Sequence, residues 1–109
     1  MKDKFDYLYR LKFEIERLHE CSACYLRTQS VDETVRGKGR AGYETTWVGD
    51  VEIFTLTRHP KAKICYAWSY RKGKTDQGER IVAVLEIPPV DSPQAAVRAS
   101  IVADLEKGR

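Results

Sequence analysis

The stretch 43–70, YETTWVGDVEIFTLTRHPKAKICYAWSY, decides the fold. It holds both tryptophans, three of the six tyrosines and a high density of β-branched residues, the composition of a pleated, half-buried surface. Pro60 in RHPK suits a turn and would remove a ladder donor inside a strand, so two strands, Thr45 to Thr57 and Ala62 to Tyr70, are expected on either side of it. Alternation assigns Ala62, Ile64, Tyr66, Trp68 and Tyr70 to one face of the second strand, and Lys63, Cys65, Ala67, Ser69 and Arg71 to the other. The first strand has no polar face. Val51 and Ile53 lie on one side while Phe54 and Leu56 lie on the other, which calls for a bulge or for burial on both sides, the latter implying a partner.

Working outward, Phe5, Leu8, Leu11, Ile15 and Leu18 recur at three and four, the stripe of an amphipathic helix from Asp3 to about Glu20. Tyr9 and Phe13 fall well away from that stripe and give the helix a second, aromatic edge. Ala23 to Val35 has no helical period and reads as a strand, irregular near Gln29 and Ser30. Arg80 to Ile87 is a short apolar run ended by Pro88 and Pro89. DSP then signals a capped start with proline in the first turn of a final, alanine-rich helix to about Lys107, buried through Val97, Ile101 and Leu105. The expected fold is one α+β domain, residues 1–109, of order α-β-β-β-β-α, a four-stranded antiparallel meander with both helices packed on one face.

At 109 residues the chain can bury one core and no more. No run approaches the roughly 18 to 20 apolar residues that cross a bilayer, so no membrane role is expected. MKDKFDYLYR alternates charges and aromatics, unlike a signal peptide, and three cysteines, an odd number, fit reduced thiols; both point to the cytoplasm.

Motifs that could carry chemistry are sparse. Gly37, Gly39 and Gly42 spell G-x-G-x-x-G, but a strand follows where a dinucleotide site needs a helix, so the stretch reads as a hairpin connection. Cys21 and Cys24 form C-x-x-C after a helix C-terminus, where the dipole disfavours a thiolate, and a second zinc knuckle is missing. With Cys65 they read as packing thiols. His59 reads as a solvated turn residue and His19 as a helix-end histidine. No metal, no cofactor and no catalytic set is expected, and an enzyme is disfavoured.

Charge distribution offers one further surface. In a meander the first and third connections leave the same end of the sheet, which would gather Arg36, Lys38, Arg40, Arg71, Lys72 and Lys74 on one rim able to contact phosphates or another anion. The element order is loosely similar to that of the double-stranded-RNA-binding domain. That family has three strands and a lysine cluster opening its last helix, whereas DSPQAAV has no positive charge before Arg98. Nucleic acid is therefore a secondary expectation. The primary expectation is a homodimeric interaction module, joined through the sheet or the helix edge by Tyr9, Phe13, Phe54 and Leu56. A third is a small-molecule site or enzyme pocket lined by Tyr66, Trp68 and Tyr70.

Overall fold

The computed structural model describes residues 4–36, 44–71 and 79–107, without the side chains of 36, 44, 71, 79 and 104–107. Helix α1 (Lys4–His19) is followed by strands β1 (Ser22–Arg36), β2 (Glu44–Thr57), β3 (Ile64–Arg71) and β4 (Glu79–Leu85), then helix α2 (Pro93–Lys107). The strands form one antiparallel sheet in the order β1-β2-β3-β4, so the expected α-β-β-β-β-α meander is present.

The helices differ from expectation in their placement. Two buried clusters form, and each contains the residues of one helix. Leu11 and Ile15 of α1 pack with Ala23, Phe54, Leu56, Ala62, Cys65 and Ala67. Ala96, Val97 and Ile101 of α2 pack with Val31, Val35, Val51, Ile53, Tyr66 and Trp68. Along β2 and β3 these sets alternate residue by residue, so the helices lie on opposite faces. This corrects the one-face arrangement. It also accounts for β2 being apolar on both sides: the chain's own two helices cover it, and no partner is needed there.

β1 is fitted to this arrangement by a bulge. Tyr25 pairs with Phe54 but Arg27 pairs with Ile53, leaving Leu26 as the extra residue. The parity of the strand flips at that point. Ala23 therefore faces α1 and Val31 and Val35 face α2, although all three positions are odd. The irregularity lies three residues before the expected one.

β2 and β3 pair only from Glu52↔Ala67 to Thr55↔Ile64, whereas β1 and β2 pair along the whole length of β2. The β1–β2 hairpin consequently extends as an arm past the end of the β2–β3 ladder, one side of it packed against α2. On its α2 side Trp47 meets Trp68, with ring centroids 5.6 Å apart. A Cβ on Gly49 would come within 2.9 Å of the Trp47 indole, so only glycine lets that ring lie across the strand. The opposite side of the arm is a polar ladder, with Ser30 donating to Asp50 at 3.0 Å and Thr34 and Thr46 hydroxyls 2.9 Å apart.

The helix ends follow local chemistry. Ser92 Oγ accepts from the Ala95 N–H at 3.1 Å, with Pro93 opening α2. Glu20 follows the last residue of α1, and its φ of 53° is the left-handed turn-out from a helix. The Glu16 carboxylate then accepts from the Ala23 N–H at 2.9 Å and from Lys12 Nζ at 2.7 Å, tying α1 to the start of β1. These bonds, the Lys12 one first, hold the Glu16 pKa below the usual carboxylate range.

Candidate functional site

α1 uses one of its two apolar faces internally and presents the other to solvent. Phe5, Tyr9 and Phe13 are 78, 69 and 59% exposed, at a spacing of four that makes them a continuous stripe. Phe5 thus leaves the buried stripe expected for it and joins the aromatic edge. Leu18, expected in the same stripe, is also exposed. Beside the aromatic residues runs an open groove of about 270 Å³ lined by Tyr9, Arg10, Phe13 and Glu14 of α1 and by Ile81 of β4. The apolar surface therefore continues from the helix onto the outermost strand.

The other candidates for contact lie elsewhere. Phe54 and Leu56 are buried beneath α1 and lie within the chain's own core. Tyr66 and Trp68 are buried beneath α2, and Tyr70 is half-buried on the same face. The Tyr66 hydroxyl donates to Glu86 at 2.5 Å, and burial raises its pKa, so the ring reads as a satisfied core group. Arg36 and Arg71 end β1 and β3 at the same end of the sheet, but their side chains, and Lys38, Arg40, Lys72 and Lys74 entirely, lie outside the described residues. β2 starts eight residues before Glu52 and β3 ends four after its partner Ala67, so the two hairpin ends are staggered by four residues.

Sequence reasoning missed a buried carboxylate. Glu52 is 1% exposed on the α1 face, where the β2–β3 ladder ends. Lys4 Nζ lies 3.0 Å from it, and Thr28 donates its hydroxyl to the same carboxylate. Tyr25 and Thr28 hydroxyls are 2.6 Å apart, so Tyr25 donates to Thr28 and the chain of bonds runs outward from Glu52. The Lys4 bond to Glu52 raises the lysine's pKa. Nearby, Tyr7 OH accepts from the Ser69 N–H at 3.2 Å, on the side of β3 that β2 has left. This cluster closes the split in the sheet with polar groups that satisfy one another. The signal for it was an acidic residue in an otherwise apolar run, VEIF.

The thiols and histidines do not assemble into a centre. Cys21 and Cys65 are buried and Cys24 exposed; burial pushes the Cys65 thiol up to about 12, away from thiolate chemistry. His59 Nδ1 accepts from the Lys61 and Ala62 N–H groups at 3.1 and 3.0 Å and so builds the β2–β3 turn. The His19 ring lies 6.1 Å from that of His59. Among the described residues no group of three or more His, Cys, Asp or Glu could hold a metal, and no helix is long and apolar enough to cross a membrane.

No protein-family model, curated protein or solved structure matches this chain.

Proposed function

We propose that the chain is a small cytoplasmic interaction module that acts as a homodimer through the outer face of α1. The observation that carries this is the stripe Phe5, Tyr9 and Phe13, three large rings left exposed on a helix whose opposite face is already buried. Rings of that size seldom stay together in water without a covering surface, and aromatic residues are enriched in interface cores. The charges around them are of both signs and partly neutralised within the helix, Lys12 with Glu16 and Arg17 with Glu14. Such a rim suits a copy of itself better than a strongly acidic or basic partner. Three cysteines, an odd number, support a reducing compartment.

Light scattering at micromolar concentration tests the reading. A mass of twice 12.5 kDa is expected, returning to the single-chain mass in the double variant Tyr9→Ser, Phe13→Ser with its melting temperature unchanged. A monomeric wild type removes the proposal.

A further inference from the structure

The two edges of the sheet are built differently. β1 carries a bulge at Leu26 and exposed charges at Arg27 and Asp32, devices that discourage another strand from adding to an edge. β4 has none of these after Arg80. From Ile81 to Leu85 its residues are IVAVL, without a charge, a proline or a break in register against β3. All five are half-buried, although the run is among the most apolar in the chain.

The direction of its free groups follows from the ladder. Glu86 donates its N–H to Ile64 at 2.9 Å, so Glu86 and the residues alternating with it, Val84, Val82 and Arg80, point their backbone groups at β3. Ile81, Ala83 and Leu85 therefore point theirs outward, away from the sheet; the His19 ring of the same chain lies against the Ala83 carbonyl, which keeps its second lone pair. The Leu85 carbonyl accepts from Ile87 at 2.9 Å, which leaves its second lone pair.

We infer that a second copy of the chain pairs with this edge, β4 against β4 and antiparallel about Ala83, joining two sheets into one of eight strands. This rests on the homodimer proposed above and specifies its geometry. The sequence around Ala83 is self-complementary in that register. Arg80 stands three residues before Ala83 and Glu86 three after, so each Arg80 meets the partner copy's glutamate across the new ladder, and Ile81 meets Leu85. Arg80 is exposed on the α2 side, the side on which Glu86 lies. On the other side the groove between Phe13 and Ile81 lies along the same edge, so one two-fold contact covers both the strand and the aromatic stripe.

Residue-resolved amide exchange on the wild-type protein, at high and low concentration, reads the pairing directly. The Ile81, Ala83 and Leu85 amides are expected to exchange at least about tenfold more slowly in the dimer than in the diluted monomer. Sedimentation of Ala83→Pro, which removes an outward N–H and spares the β3 ladder, should give monomer. Arg80→Glu, an exposed position that leaves folding intact, should weaken the dimer about tenfold by setting like charges opposite one another. A dimer whose outward amides exchange freely, and which is indifferent to Arg80→Glu, overturns β4 pairing and leaves the helix-mediated dimer standing. A wild type that is monomeric throughout overturns both. Protection of the three amides at every concentration would show that the edge is covered within one chain, and would also overturn the pairing.

Discussion

α1 and α2 cover opposite faces of one sheet, yet they spend their apolar residues differently. α2 turns Pro93, Ala96, Val97 and Ile101 inward, and its described outer surface carries one exposed large apolar residue, Val102. α1 turns Leu11 and Ile15 inward and still has Phe5, Tyr9, Phe13 and Leu18 outside. The cores beneath them differ in the same sense. Under α2 lie the buried aromatic groups Tyr66 and Trp68, whereas under α1 lie small groups, Ala23, Ala62, Cys65 and Ala67, around the fully buried ring of Phe54. Aromatic mass that the α2 side uses for folding is on the α1 side placed outside the fold, which locates the surface available for recognition.

The most severe way to break this comparison is to empty the α1 core. Phe54 is fully buried, and Phe54→Ala is expected to cost about 3–5 kcal/mol in chemical denaturation. Val97→Ala, across the sheet under α2, removes fewer atoms and should cost less. Because the sheet separates the two sites, the double variant should be additive within about 0.5 kcal/mol. A larger coupling would mean that the two faces behave as one core.

Glu52 comes next. Glu52→Ala strands the Thr28 hydroxyl and Lys4 at the end of the β2–β3 ladder, and a loss of about 1–3 kcal/mol is expected. Lys4→Ala should cost much less, since the lysine is half exposed and the carboxylate keeps Thr28. Equal losses would show the ion pair, not burial of the carboxylate, to be what holds the split closed. On the α2 side, Gly49→Ala should cost about 1 kcal/mol by displacing Trp47 from the strand, with a change in tryptophan fluorescence as the ring moves from Trp68.

The element order was legible because each helix and strand carries its own period and punctuation: the i, i+3, i+4 stripe of α1, Pro60 in the turn, and DSP before α2. Helix placement was not, because a meander with a helix at each end does not by itself fix which face either helix covers, and Leu26 adds a second ambiguity. A bulge changes which residues share a face without changing composition, so alternation read through β1 assigns the wrong side after residue 26. Phe54 and Leu56 fall on an uncovered face only if α1 joins α2 over Tyr66 and Trp68; α1 lies on the other side and buries them. The aromatic edge at Tyr9 and Phe13 was readable because helical phase is local. Glu52 stood out in the apolar run VEIF, but its role did not, because its partners Lys4 and Thr28 are distant in sequence and meet it only through the fold.

The smallest expected effect lies at the far end of α1, where His19 enters the protein. Burial, and secondarily the neighbouring His59, lowers its pKa from the ordinary 6.5, with the Ala83 backbone offsetting part of this. The folded chain therefore keeps His19 neutral at pH values where the unfolded chain has already bound a proton. Stability should fall as pH drops from about 6.5 toward the depressed folded value, and level off below it, as far as this residue is concerned. Thermal melts across that window should show the slope in the wild type and a reduced slope in His19→Gln. An unchanged slope would assign it to other groups. A slope of opposite sign would mean that α1 gains from a charge at its C-terminal end, as an exposed helix end does, and that His19 is not enclosed between α1 and the β2–β3 turn.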